Sequence, residues 1–296
     1  MINKYLLEKK MSFVFSVAVF IFALLPLNLQ AQELIDLIIK AFKETEIASA
    51  KIYLNSTPVT VTDAHCERSA GGLHDFYSEG DYWWPNPENP GGAYQQRDGQ
   101  TNPNNFTSHR HAMIRLSEIT ATLTSAWLLT DENVYADKAL EHLNAWFVDT
   151  KTKMNPNMLY AQAISGKVTG RSIGLIDAYH FVEVTRSVKV LSDKGGISPE
   201  QSDKIKTWFS EFLTWMTTHE YGILEMNSKN NHGTSWAATA ASMAVLTDNE
   251  EIKKLCIDRF KNILLPNQMA TDGSFPLELK RTKPYGYSLF NIDAFF

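Results

Sequence analysis

Three stretches of the 296-residue chain concentrate side chains able to hold anions or move protons. The first is Asn230-Asn231-His232, two amides and an imidazole just ahead of Gly233-Thr234-Ser235-Trp236, where apolar spacing signals a helix start. Free N–H groups at a helix N-terminus, joined by side-chain amides and an imidazole, suit a carboxylate or a developing oxyanion. Two asparagines before a helix are also ordinary caps, so this stretch alone does not choose. The second is Arg281-Thr282-Lys283-Pro284-Tyr285-Gly286-Tyr287, after the turn-forming Asp272-Gly273. Arginine holds a carboxylate with two parallel contacts, and a phenol beside a cation is expected to lose its proton more readily than its reference pKa of about 10 implies. The third is the aromatic loop Asp75-Phe76-Tyr77-Ser78-Glu79-Gly80-Asp81-Tyr82-Trp83-Trp84-Pro85-Asn86-Pro87, followed by Arg97-Asp98-Gly99. Its rings offer flat apolar faces of the kind that sugars stack against, and they fit equally a loop pinned to a core.

The elements that must position these groups read as helices. From about Thr107 onward apolar residues recur at helical spacing: Leu116, Ile119, Leu123, Ala126 and Trp127, then Ala136, Ala139, Leu140, Leu143 and Phe147. The pattern continues through Ile173, Ile176, Tyr179 and Val182, through Ile205, Trp208, Phe209, Phe212 and Trp215, through Trp236, Ala240 and Met243, and through Ile252, Leu255 and Ile263. Ser198-Pro199-Glu200-Gln201 carries a cap hydroxyl, a proline at the first helical position and a glutamine at the third, and Asp248 with Glu251 predicts a similar box. Helices of ten to twenty residues with short polar connections and no convincing alternating strands predict an all-α fold of antiparallel hairpins in a ring or irregular bundle. The stretch from Val59 to Asn105 has little periodicity, and a loop that long inside a compact domain is usually functional.

Composition narrows the classes. With 44% hydrophobic residues and 7 Trp the chain can bury a large core, and a net charge of −5 offers no basic face for a phosphate backbone, which speaks against nucleic-acid binding. Lys4, Lys9 and Lys10 ahead of the apolar run Met11–Leu27 form a leader of the secretory type, cleaved near Ala31. Residues 1–31 are therefore expected to be removed, the chain to be exported to the periplasm or the outside, and no stable membrane association to remain. Two cysteines, Cys66 and Cys256, make no disulfide framework and no metal-ligand spacing. His109 and His111 are two apart at a helix start and point apart, so no metal or other cofactor is expected, and His109 is placed at the cleft or the cap.

Taken together, the three stretches resemble the alginate lyase superfamily of helical-toroid polysaccharide lyases, as in polysaccharide lyase families five and thirty-eight. The resemblance spans most of residues 32–296. It rests on the Asp75–Pro87 loop, Arg97–Pro103, Trp146-Phe147, Thr152–Asn157, Tyr160-Ala161-Gln162, Gly170-Arg171, Asn-Asn-His and the Arg-to-Tyr pair. The six-residue interval from Arg281 to Tyr287 is more like the thirty-eight type. The resemblance implies an incomplete (α/α) toroid acting on an anionic polysaccharide by β-elimination. Asn231, His232 and Arg281 would neutralise the uronate carboxylate, making the C5 proton acidic, and Tyr287 would take that proton and return one to the departing C4 oxygen. A single phenol serves both steps only when proton and leaving group share a face, as in mannuronate and glucuronate but not guluronate. Substrate contacts are expected from Tyr82, Trp83, Trp84 and Arg97 on one wall and from Tyr160, Gln162 and Arg171 on another, with His109, Asn230 and Tyr285 nearby.

Two other classes stay open on sequence alone. A glycoside hydrolase would need two carboxylic acids across the sugar, for which Asp75, Glu79, Asp81 and Asp98 are available. A noncatalytic glycan-binding protein would use the aromatic loop alone. The chain ends in the apolar run Asp293-Ala294-Phe295-Phe296 without a polar tail, as expected of a sequence missing further helices.

Overall fold

The computed structural model describes residues 31–295, so the leader, apart from Ala31, lies outside the described residues. Helix α1 (Ala31–Tyr53) crosses a boundary at Glu46, up to which the chain counts as an N-terminal unit; Ile47 onward forms the larger unit that carries all three chemical stretches. No helix among the described residues is long and apolar enough to cross a membrane.

In the larger unit the helices pair as their spacing predicts. Helix α2 (Ser108–Thr130) packs on α3 (Asn133–Phe147) and α4 (Phe181–Lys194), α3 packs on α5 (Pro199–Thr218), and α4 and α5 both pack on α7 (Asn231–Leu246). Helix α7 also meets α8 (Glu250–Arg259), the short α6 (Glu220–Met226) and α11 (Pro284–Phe295). Being wrapped on every side explains its run of Gly233, Thr234, Ser235, Ala237, Thr239 and Ala240: small side chains let neighbouring helices close in, and a helix without a polar face is a buried one. The remaining turns are α9 (Leu265–Gln268) and α10 (Pro276–Leu279).

Between the helices lies an aromatic core. Trp146, Phe147, Phe181, Trp208, Phe209 and Phe212 pack with centroids 4.6–6.4 Å apart, mostly tilted or edge-on as ring quadrupoles prefer. Both indole N–H groups reach outward from it: Trp146 Nε1 donates to the Val59 carbonyl at 2.8 Å and Trp208 Nε1 to that of Met154 at 2.7 Å. The core therefore anchors the ends of the irregular segments. Starts of helices follow the predicted chemistry at α5, where Ser198 and Gln201 complete a reciprocal box. At α8 the cap is Asn249, not Asp248; Asp248 sits at φ 55°, a left-handed turn conformation from which it does not cap.

The Val59–Asn105 segment contains three short strands that the missing periodicity concealed. Strand β1 (Tyr77–Glu79) pairs in parallel with β4 (Tyr160–Ala163), and β2 (Trp83–Trp84) pairs antiparallel with β3 (Gln95–Gln96). Glu79 pins the loop: its two oxygens take a fork from Arg68, each at 2.7 Å, and one also accepts the Phe106 N–H. Burial pulls the Glu79 carboxyl up, but Arg68 and the Phe106 N–H hold it below the usual range. Cys66 and Cys256 are unbonded and buried in separate clusters.

Candidate active site

A cleft of about 710 Å³ opens where the aromatic loop, the start of α7 and the Arg281–Tyr287 segment meet. Its lining includes Tyr82, Trp83, Gln162, Arg171, Asn231, His232, Arg281 and Tyr287, all singled out in the sequence. Asp81, Asp98, Arg110, Asp177, His180, Lys283 and Phe290 join them.

Tyr287 is the best-connected oxygen in the cleft. Its Oη lies 2.7 Å from Tyr82 Oη and accepts from Arg281 Nη2 at 2.9 Å, while the Arg281 guanidinium stacks over the Tyr287 ring at 4.1 Å. Arg281 Nη2 also donates to Asp98 Oδ1 at 3.1 Å. The expectation of an easily ionised phenol is reversed: burial and the second phenol raise the Tyr287 pKa more than Arg281 lowers it. Tyr285, expected near the substrate, does not line the cleft. Residues two apart on a helix point to opposite sides, and Tyr285 is 77% exposed.

Across the cleft stands the α7 start. Asn230 is the cap, its Oδ1 accepting the His232 N–H at 3.4 Å, and it does not line the cleft. His232 directs Nδ1 to Glu225 Oε1, a partner that favours the proton on Nδ1, and its Nε2 has no hydrogen-bond partner among the described residues. Asn231 is fully buried; its backbone N–H and Nδ2 donate to the two oxygens of buried Glu278 at 2.8 and 2.7 Å. The amide nitrogen expected to meet a carboxylate is thus already engaged. Gln268 joins the walls: its Oε1 accepts from Thr234 of α7 at 2.9 Å and from Asn291 of α11 at 3.0 Å, and its Nε2 donates to the Asn230 carbonyl.

The aromatic wall is narrower than predicted. Neighbouring strand residues face opposite ways, so Trp83 enters the cleft while Trp84 turns from it, bonding the Gln100 carbonyl and stacking with Arg97 at 5.1 Å. Neither Trp84 nor Arg97 lines the cleft. Trp83 lies between Lys167, 5.0 Å from its ring, and Arg171, at 5.8 Å. Gly80 makes this possible, because a Cβ there would stand 2.7 Å from both Arg171 and Trp83. Arg171 donates to the carbonyl and side chain of Gln162, which is held at φ 48°. Tyr160 instead packs with Cys66, Tyr77 and Ala163, its ring filling the space beside Gly71. His109 is also structural: one ring nitrogen accepts the Tyr77 N–H, the other donates to the Ala64 carbonyl, and burial lowers its pKa.

The four carboxylates considered for hydrolysis are committed elsewhere. Glu79 pairs with Arg68, Asp81 with Arg110 and Asp98 with Arg281, and Asp75 accepts from Asn155 and the Gly72 N–H. None is the isolated, apolar-set acid that protonates a leaving glycoside. Among the described residues no group of three or more His, Cys, Asp or Glu is arranged to hold a metal ion. Residues missed from sequence are Glu225, Glu278 and Gln268, together with Arg110, which bridges Asp81 at 2.7 Å and Asp177 at 3.1 Å. Glutamates on helices carry no signal that marks them as buried.

The helices thus set an Arg–Tyr pair and an Asn–His helix start around one cleft. Residues 60–296 match the alginate lyase family, and the chain belongs to it. Among solved structures, an alginate lyase from Bacteroides ovatus is 35% identical with a TM-score of 0.79, over 85% of this chain and 67% of that one. Alginate lyase A1-III from Sphingomonas species A1 shares the fold at 13% identity, TM-score 0.51, over 84% and 66% of the two chains. A tyrosine-to-phenylalanine variant of A1-III complexed with tetrasaccharide gives 14%, 0.52, 84% and 66%. The chain thus spans about two thirds of their length. Comparison with curated proteins gave no match.

Proposed function

We propose that this cleft cleaves a polyuronate, alginate rich in mannuronate or a glucuronan, by β-elimination at the C4–O bond. The observation that carries the reading is Tyr287 Oη, held by Arg281 and Tyr82 within the cleft that His232 also lines. The Arg281 guanidinium and His232, acting as an imidazolium with Nδ1–H on Glu225 and Nε2–H toward the sugar, meet the carboxylate at C6, drawing charge from C5 and stabilising the enolate-like dianion that forms when its proton leaves. Tyr287 removes that proton, the C4–O bond breaks as the C4–C5 double bond forms, and the same phenol protonates the departing oxygen. Tyr82, 2.7 Å away, keeps a hydrogen bond on Tyr287 Oη through both transfers. Trp83, flanked by Lys167 and Arg171, offers the neighbouring sugar a stacking face with cations beside it. Arg110 stiffens the floor by tying the Asp81 loop to Asp177.

The residues before Ala31 support export to the periplasm or the outside, where such polymers are met. The test is purified protein on mannuronan, guluronan and glucuronan, followed by ultraviolet absorbance of the unsaturated product end. Absorbance should rise with mannuronan or glucuronan and stay flat with guluronan. Binding without any rise would leave a glycan-binding protein, and reducing sugar without absorbance would mean a hydrolase.

A further inference from the structure

We infer that Asp98 sets the affinity of the cleft: in the free protein its carboxylate stands on Arg281 in the place of the sugar's, and the substrate binds by exchanging with it. The inference rests on reading the cleft as a polyuronate site. A guanidinium grips a carboxylate with two parallel N–H bonds along one of two edges, Nε with Nη2 or Nη1 with Nη2. Nη2 is common to both edges. In Arg281 that nitrogen already serves two acceptors, Tyr287 Oη at 2.9 Å and Asp98 Oδ1 at 3.1 Å. Its two N–H groups are thereby engaged, and neither edge is whole. Tyr287 must keep its place for the proton transfers, so the contact that yields to the sugar is Asp98, which also lines the cleft.

The surroundings of Asp98 fit an exchangeable partner. Its side chain is 37% exposed and that of Arg281 28%, so water reaches both, and an ion pair in that setting holds weakly. The pair that pins the aromatic loop is built differently: Arg68 puts a two-pronged fork on Glu79, whose side chain is only 5% exposed. Arg281 gives Asp98 a single bond. The other oxygen, Oδ2, accepts from Thr282 Oγ1 at 3.2 Å, which keeps a partner for the carboxylate once Arg281 has turned to the sugar. The chain is shaped to bring these groups together, for Gly99 sits at φ 75° and a Cβ on it would stand 2.4 Å from Thr282 Oγ1. On the other side Arg97 is fixed by its stacking on Trp84 and by its N–H on the Tyr82 carbonyl at 2.7 Å.

The test is a double-mutant cycle of Asp98→Asn with Arg281→Ala, measured on the most active polyuronate. Asparagine keeps the shape of the side chain and removes the competing charge. KM of Asp98→Asn should fall about two- to five-fold, the range that an exposed ion pair converts to. In the Arg281→Ala background the gain should shrink or vanish, because the group competed for is gone. A KM that is unchanged or raised in Asp98→Asn would overturn the inference, the second outcome making Asp98 a splint for Arg281. A gain as large or larger in the Arg281→Ala background would overturn it too, since plain repulsion between Asp98 and the sugar carboxylate grows when Arg281 is removed. Should Asp98→Asn fail to fold, Asp98→Ser takes its place in the same cycle. Tyr287→Phe is measured alongside: retained activity there refutes the lyase mechanism, whereas a dead Tyr287→Phe with the wrong sign in the cycle refutes only the role of Asp98.

Discussion

Replacing Tyr287 by phenylalanine removes one oxygen and leaves its surroundings in place. The ring keeps its position 4.1 Å under the Arg281 guanidinium, and Arg281 keeps Asp98 at 3.1 Å, so the carboxylate-binding wall survives. Two hydrogen bonds are lost, to Tyr82 and to Arg281. At about 0.5–1.5 kcal/mol for each bond, stability should fall by about 1–3 kcal/mol. Turnover is another matter. General acid or base catalysis contributes about 10²–10⁴-fold, and a group performing both transfers belongs at the upper end, about 5.5 kcal/mol of barrier. Tyr287→Phe should therefore show KM within a few-fold of the parent and kcat reduced about 10⁴-fold, read from the ultraviolet absorbance of the unsaturated product. If the variant keeps more than about a tenth of parental turnover, Tyr287 is not the proton-transferring group and the mechanism falls.

Because burial and Tyr82 raise the Tyr287 pKa, kcat/KM should climb from neutral toward alkaline pH, and Tyr82→Phe should move that climb to lower pH; an unmoved limb would detach Tyr82 from the base. Arg281→Lys cannot reproduce one guanidinium serving Asp98 and Tyr287 together, and should cost about 10²-fold in kcat/KM without loss of fold by circular dichroism. Trp83→Ala should raise KM roughly five-fold, about 1 kcal/mol of stacking, while kcat holds; an equal fall in kcat would place Trp83 at the reaction itself. His142 is buried and its imidazole is pushed down to about 4 by burial, with Lys138 and Arg115 adding to it. The fold favours the neutral ring, so this stability is whole above about pH 6.5 and is lost as pH falls toward 4, up to about 3 kcal/mol. Urea midpoints at those two pH values, with and without His142→Gln, measure it.

The helices were legible because burial on one side leaves a 3.6-residue signature, and the cap chemistry of Ser198 and Gln201 marked its helix start. The aromatic loop gave away its chemistry but not its geometry: strands of two or three residues are too short for alternation to show, so the opposite facing of Trp83 and Trp84 came only with their pairing to Gln95 and Gln96. Tyr287, His232 and Arg281 do meet in one cleft, as their order along the chain suggested. Glu225 and Glu278 stayed hidden, because a carboxylate in a helix normally reads as solvent-facing; it takes α6 and α10 closing on the start of α7 to bury them. The same closing answers the doubt over Asn-Asn-His: Asn230 is the cap, and Asn231 beside it belongs to the cleft.

Gln268 has a mechanical meaning. One amide oxygen is the shared seat for a hydroxyl from the helix of His232 and an amide from the helix of Tyr287. Prying those helices apart breaks two bonds at a single atom, so the two walls of the cleft share one buried hinge pin that itself stands outside the cleft lining.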